Sequence, residues 1–306
     1  MRYIGVLNRD GGTFKTMDMD AFCAQAKEVF AAHGHDLDCR VVAGKEMMAA
    51  LEAAMTDPAA DVVLAGGGDG TISTAADLAW RHQKPLAVLP AGTMNLFARA
   101  LQVPLELDGA LTALAAGEIK AVDIATANGQ AFVHQFGVGI HARLVRIRDG
   151  LTYKSRIGKM AASLRAFGAA LSNPPKFAVD IRTRTGVERR QASGVNVSNN
   201  LLGAGHLPHA DRLDQGVLGL YVAKPMSSAA MARLFVDVMT GNWRHREDVI
   251  ERELDEVTLQ FPRRKRSTFA VIDGELIKLE DQVHIQLHPG ALKVIQPHIA
   301  EDQAAA

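Results

Sequence analysis

The sequence predicts an α/β domain followed by an antiparallel β domain. Three observations predict it. Short apolar runs alternate with helical stretches through the first part of the chain. Glycine-rich turns sit where those runs end. From about Ala121 the rhythm changes to mostly short strands.

Arg2–Leu7 predicts the first strand, and its apolar stretch is too short for a signal peptide. Asp18–Gly34 predicts a helix, because Phe22, Ala26, Val29 and Phe30 recur at helical spacing. Leu37–Val42 alternates as a strand and Lys45–Met55 follows as a helix. Asp61–Ala65 is a continuous apolar run, the form of a parallel strand buried on both faces. A helix at Thr71–Arg81, an apolar strand at Leu86–Leu89, and helices at Thr93–Leu101 and Asp108–Gly117 complete the series. This is the spacing of βαβ units in a doubly wound, Rossmann-like parallel sheet.

Beyond it the expected strands are Ala121–Ala127, Ala131–Phe136, Phe177–Arg184, Ala192–Ser198, Gly219–Ala223, Glu256–Phe261, Phe269–Ile272 and Val283–His288. Helices are expected only at Arg156–Leu171 and Ser228–Thr240. Many strands with few helices predict an antiparallel β-sandwich or barrel. The division is residues 1–122 as the α/β domain and 123–290 as the β-sandwich. Residues 291–306 form a C-terminal segment that returns to the first domain and ends in a frayed polar tail.

Composition sets outer limits. The 306 residues carry 34 Lys+Arg and 34 Asp+Glu, so the formal charge is zero. A dedicated nucleic-acid binder needs a basic excess for phosphate contacts, so that class is disfavoured. Hydrophobic residues make up 48% of the chain, yet no apolar run is long enough to span a bilayer. Cys23 and Cys39 have no metal-ligand partners nearby and read as buried thiols in a reducing cytoplasm.

The strongest chemical signal is Gly66-Gly67-Gly68-Asp69-Gly70-Thr71, between an apolar strand and a helix. Glycines let the backbone approach a ligand, and a helix N-terminus favours anions. A phosphate cradle follows. Asp69 would repel phosphate unless it holds Mg²⁺, directly or through water, or orients an attacking hydroxyl; otherwise it is a helix N-cap acid. The next strand ends in Pro90-Ala91-Gly92-Thr93-Met94-Asn95, another small-residue turn into a helix. Asn8-Arg9-Asp10-Gly11-Gly12-Thr13 follows the first strand and offers a third loop. Loops at adjacent strand ends define a crevice at the carboxyl edge of the sheet. No Walker A lysine, dinucleotide fingerprint or protein-kinase motif is present.

Gly67–Thr71, followed by Gly92-Thr93-Met94-Asn95-Leu96-Phe97-Ala98-Arg99, resembles the catalytic domain of the diacylglycerol kinase family. That family includes bacterial lipid kinases and sphingosine kinases. Further matches are Phe136-Gly137-Val138-Gly139, Lys154-x-Arg156-x-Gly158-Lys159, Ser198-Asn199, Pro208-x-Ala210, Leu213-Asp214-Gln215-Gly216 and Val271-Ile272-Asp273-Gly274-Glu275. They run over nearly the whole chain.

The resemblance implies an N-terminal ATP-binding domain, a C-terminal lipid-substrate domain, and an active site between them. It implies phosphorylation of a lipid hydroxyl by ATP with Mg²⁺, a diacylglycerol-like acceptor being favoured. By position, Gly66–Thr71, Thr93 and Asn95 would hold ATP, with Asn8, Gly11, Gly12 and Thr13 beside it. Glu275 or Asp273 would accept the proton or serve as a metal-linked acid. The two acids lie two residues apart, so on an extended strand both would face one side; alternatively, Asp-Gly is a hairpin turn. Lys154, Arg156 and Lys159 would neutralise the triphosphate or meet anionic headgroups. Arg263–Arg266 is a second basic run that caps a loop or docks on an anionic membrane. Such a protein is expected in the cytoplasm, peripheral to the inner face of the membrane, with homodimerisation open.

Three departures stand out. The first loop reads N-R-D-G-G where the family has N-P-x-S-G. The family's L-D-D-G, associated with a structural Mg²⁺ in bacterial members, becomes Leu213-Asp214-Gln215-Gly216, and a neutral amide is a poorer ligand for a hard cation. His141 and Arg143 stand where sphingosine kinases carry acids, which disfavours sphingosine. Two rivals are a silent nucleotide or lipid sensor and an NAD-kinase-like enzyme. The second shares the G-G-D-G-T loop but requires an Asn-Glu pair that Asn199-Asn200 and Asn128-Gly129 lack.

Overall fold

A computed structural model describes residues 1–149, 168, 173–203, 209–263 and 267–298. The chain divides into two compact units. Unit 1 comprises Met1–Ile124, Arg212–Asp214 and the segment from His288 onward; unit 2 comprises Ala125–Asp211 and Gln215–Leu287.

Unit 1 is the expected doubly wound sheet. Its strands are β1 (Arg2–Asn8), β2 (Asp36–Val42), β3 (Val62–Gly67) and β4 (Leu86–Pro90). The C-terminal half of β16 (Gln282–Gln296) joins them through Val294 beside Leu86. The order is β2-β1-β3-β4-β16, with every pairing parallel. β3 and β4 are buried along their whole length, as their apolar runs require. The helices are α1 (Met19–Ala32), α2 (Met47–Thr56), α3 (Asp69–His82), α4 (Leu96–Ala100) and α5 (Leu107–Ala115). Asp18 caps α1, its carboxylate accepting the amides of Asp20 and Ala21. Phe22, Ala26 and Phe30 form the buried face of that helix. α4 starts three residues later than its apolar pattern suggests, because Asn95 adopts a left-handed conformation at φ +51°.

The free-thiol expectation for Cys23 and Cys39 is overturned: the two form a disulfide between α1 and β2. Their Cα atoms lie 6.0 Å apart, within the span that a disulfide bridges.

Unit 2 has two antiparallel sheets. One runs from the N-terminal half of β16 through β13 (Glu256–Gln260) and β8 (Phe177–Thr183) to β9 (Gly186–Ala192). The other has the order β12-β11-β10-β7-β14-β15. These are Val249–Leu254, Leu218–Ala223, Gly194–Asn199, Gln135–Gly139, Phe269–Ile272 and Glu275–Lys278 respectively. Alternate residues of both sheets, among them Val179, Ile181, Val257 and Leu259 against Phe136, Val138, Val195 and Val197, meet in one core. This is the expected sandwich. α6 (Ile140–Asp149) follows β7, and α7 (Ser228–Thr240) is capped by the Ser227 hydroxyl.

The single strand expected at Ala131–Phe136 is broken in two. β5 (Glu118–Ala127) hairpins into β6 (Gln130–Phe132), and β7 begins only at Gln135. The cause is Asp273. Its carboxylate accepts the amides of Val133, His134 and Gln135, each at 2.9 Å, and holds the chain in a turn.

Candidate active site

The order β2-β1-β3-β4 reverses direction between β1 and β3. Such a switch point opens a crevice at the carboxyl ends of the two strands, where α/β sheets bind ligands. The loop after β1 and the loop after β3 flank it, and the loop after β4 lies beside them.

The three loops are tied together. Asn8 Nδ2 donates to Thr71 Oγ1 at 3.4 Å. The Thr13 amide donates to the Ala91 carbonyl, and the Ala91 amide to the Gly67 carbonyl, both at 2.9 Å. Gly12 has φ +51°, and a side chain there would fall on the Ala91 carbonyl. A Cβ on Gly92 would lie 2.6 Å from the Gly68 Cα, so the second and third loops touch backbone to backbone. Asp10 ties the first loop to the segment after β2: its carboxylate accepts the Gly44 amide at 2.8 Å.

Two of the glycines serve packing. Gly66 and Gly67 are buried strand residues, and a Cβ on Gly67 would meet Thr71 at 2.7 Å. Gly68 is the N-cap of α3, and the amides of Asp69, Gly70 and Thr71 open that helix. First-turn amides have no partner within the helix and carry the positive end of its dipole. Gly12, Thr13 and Thr93 are exposed beside them. The set is a donor-rich surface of small residues at the carboxyl edge of the sheet.

Asp69 does not cap its own helix. Its Oδ1 accepts the Leu96 amide at 2.7 Å and its Oδ2 accepts the Asn95 amide at 3.1 Å. It therefore caps α4 and braces the third loop against the second. Asn95 completes the brace: its Oδ1 accepts the Gly92 amide at 2.8 Å and its Nδ2 donates to the Gly92 carbonyl at 3.0 Å. Arg99 Nε adds a bond to the Met94 carbonyl at 2.8 Å. The only sequence sign of this brace was an asparagine, a residue tolerant of the left-handed region, ahead of a helix.

The acid pair of unit 2 is not on one face of a strand. Ile272 pairs with Glu275, so Asp273-Gly274 is a two-residue hairpin turn. Both residues have positive φ, +47° and +87°, as a type I′ turn requires. The period-two argument fails because the strand has already ended. Asp273 is buried and committed to three backbone amides, while Glu275 is exposed at the start of β15. Beside this clamp the His134 ring is buried and its Nε2 lacks a partner among the described residues. Burial, and then the charges of His141 and His209, push its pKa down to about 3.

Asp214 and Gln215 both already have protein partners. Asp214 Oδ1 pairs with Arg212 Nε at 3.1 Å, and Gln215 Oε1 accepts the Leu201 amide at 3.0 Å. The Leu213 carbonyl, between Arg212 and Asp214, accepts the amide of buried Asp123 at 2.7 Å. Among the described residues no group of three His, Cys, Asp or Glu could hold a metal ion. Asp69 fits a hydrated cation better, since each oxygen accepts one amide and keeps a lone pair. Lys154, Arg156 and Lys159, with Pro208 and Arg264–Arg266, lie outside the described residues.

Comparison with known proteins identifies the family. Residues 2–127 match the diacylglycerol kinase catalytic domain, and residues 135–296 match the YegS C-terminal NAD kinase beta sandwich-like domain. The chain belongs to the YegS-like branch of the diacylglycerol kinase family. It is 26% identical over 280 residues to a diacylglycerol kinase of Bacillus subtilis, covering 86% of this chain and 89% of that protein. It is 27% identical over 248 residues to an uncharacterized Synechocystis protein, covering 77% of this chain but 54% of the relative. The crystal structure of a diacylglycerol kinase from Bacillus anthracis shares the fold, with a TM-score of 0.72, 21% identity and 96% of each chain covered.

Proposed function

We propose that this protein is an ATP-dependent lipid kinase that phosphorylates a lipid hydroxyl, with a diacylglycerol-like acceptor. The observation that carries the reading is the convergence of three loops at the switch point of unit 1, braced by Asp69. The names of relatives in Bacillus subtilis and Staphylococcus aureus, both diacylglycerol kinases, support the acceptor class.

In this reading the first amides of α3, with Gly11–Thr13, Thr93 and Asn95 nearby, hold and orient the triphosphate. Asp69 would hold Mg²⁺ through water, and the ion would supply neutralisation of phosphate charge. Glu275 accepts the proton of the lipid hydroxyl. The hydroxyl oxygen bonds to the γ-phosphorus as the bond to the bridging oxygen breaks and ADP leaves. Asp273 acts as a positioning residue, since its carboxylate fixes the turn that carries Glu275. Lys154, Arg156 and Lys159 meet the triphosphate or anionic headgroups. The proposed mode of meeting the lipid is peripheral contact at the cytoplasmic face of the membrane; no helix among the described residues is long and apolar enough to cross a membrane.

The test is incubation with γ-labelled ATP, Mg²⁺ and vesicles carrying single candidate lipids. A labelled lipid is expected, with diacylglycerol as a good acceptor. Tight ATP binding with no labelled lipid from any vesicle would instead mark a sensor.

A further inference from the structure

The Cys23–Cys39 disulfide has no part in the roles above, yet it joins the two elements that hold the first crevice loop. Cys23 lies in the second turn of α1, which follows that loop, and Cys39 lies on β2, the edge strand beside β1. Both residues are partly exposed, so a small thiol can reach the bridge. Accessible disulfides exchange with free thiols far more readily than buried ones. In the cytoplasm proposed for this protein, disulfides are for the most part transient or redox-sensing.

The loop is gripped from both ends of the bridge. On the β2 side, the Arg9 amide donates to the Val42 carbonyl at 3.0 Å and the Asp10 carboxylate accepts the Gly44 amide at 2.8 Å. On the α1 side, Phe22, the neighbour of Cys23, sets its ring 5.5 Å from that of Phe14. Phe14 is buried in the 3₁₀ segment Gly12–Thr16 that closes the loop, and a Cβ on Gly66 would lie 3.0 Å from its ring. The Phe22–Phe14 contact thus connects α1 to the loop and to the end of β3. The far end of α1 has its own anchor, the Phe30 ring 4.8 Å from that of Tyr3. We infer that Cys23–Cys39 is a thiol–disulfide exchange site at which a dithiol reductant loosens the first loop and lowers its hold on ATP. The reductant's thiolate attacks one sulfur, and its second thiol resolves the mixed disulfide. The reductant leaves as a cyclic disulfide, and two electrons and two protons remain on the protein as two thiols. A small disulfide such as oxidised glutathione reverses the step. Opening the bridge frees the near end of α1, and Phe14 with it, while Phe30 keeps the far end docked; such local opening costs less than global unfolding. The effect on ATP rests on the ATP-binding reading above, and the effect on the loop does not.

The test is hydrogen exchange over residues 8–17 together with calorimetry using a non-hydrolysable ATP analogue. Both are run on the full-length protein, oxidised with glutathione disulfide and then reduced with dithiothreitol. Reduction is expected to speed exchange in the loop and to weaken analogue binding by at least about 5-fold, and reoxidation to restore both. The Cys23→Ser, Cys39→Ser double variant should match the reduced wild type and ignore dithiothreitol. The wild-type comparison needs no substitution, so it decides the matter even where the variant folds poorly. Loop exchange equal in the two states, analogue affinity equal in the two states, or a double variant that still responds to dithiothreitol would overturn the inference. Absence of analogue binding in both states would overturn the ATP-binding reading instead; faster loop exchange on reduction would then still support the exchange site, and unchanged exchange would overturn it.

Discussion

Asp69→Asn separates two jobs that one carboxylate performs. The carboxylate accepts two amides, from Leu96 at 2.7 Å and from Asn95 at 3.1 Å. A side-chain amide has one acceptor oxygen, and its NH₂ would face an N–H. The variant loses one charge-assisted hydrogen bond and weakens the other. Such bonds contribute about 1.5–3 kcal/mol each. A loss of about 2 kcal/mol lowers the melting temperature by about 4–8 °C for a unit of this size. Turnover should fall by about 100-fold or more, since a positioned charge at the phosphate site is removed. Affinity for a non-hydrolysable ATP analogue should stay within about 10-fold, because the α3 amides remain. Scanning calorimetry, titration calorimetry and label transfer read the three effects separately. A wild-type melting temperature would refute the brace, and wild-type turnover would refute the catalytic role.

Other substitutions probe separate parts of the molecule. Gly12→Ala places a methyl on the Ala91 carbonyl at φ +51°; ATP-analogue affinity by calorimetry should drop by about 10-fold or more, as a 1 Å displacement in such a site has large effects. Cys23→Ser, or reduction of the wild type, opens a loop closed across 16 residues; urea denaturation should show a loss of about 3 kcal/mol, and an unmoved midpoint would contradict the bridge. His134, with its folded pKa near 3, stays neutral while the unfolded ring protonates below its ordinary value of 6.5. The unfolded state then binds more protons, so stability is full above pH 6.5 and declines toward pH 3, by up to about 1.4 kcal/mol per pH unit. Denaturation of His134→Gln should show a flatter slope over that window.

Much of unit 1 was legible in the sequence because its signals are local. Buried parallel strands such as Val62–Gly67 read as uninterrupted apolar runs, and each crevice loop follows its strand directly. The tertiary work of those loops was hidden. Asp69 reaches amides 26 and 27 residues away, and nothing nearby in the chain distinguishes a brace from a metal ligand. The disulfide was invisible for the same reason, since 16 residues of separation do not reveal that α1 packs on β2.

Unit 2 was legible as a class but not strand by strand. β9 and β12 alternate charged residues on a solvated face, so they lack an apolar run. Backbone pairing holds them, with Glu188 bridging to Arg190 and Arg252 across the surface. α6 was missed because Ile140–Asp149 is rich in charge. Asp273 and Glu275 were placed on one face by a strand rule that stops applying where Ile272 pairs with Glu275.

The most direct measurement of the central claim is single-turnover transfer of γ-labelled phosphate from ATP to lipid by the wild type and by Glu275→Gln. Glu275 is exposed, so the substitution leaves stability and ATP-analogue affinity intact. The account predicts stoichiometric labelled lipid from the wild type and at least about 100-fold slower labelling from the variant. Equal rates from the two proteins, or label released only as inorganic phosphate, would contradict it.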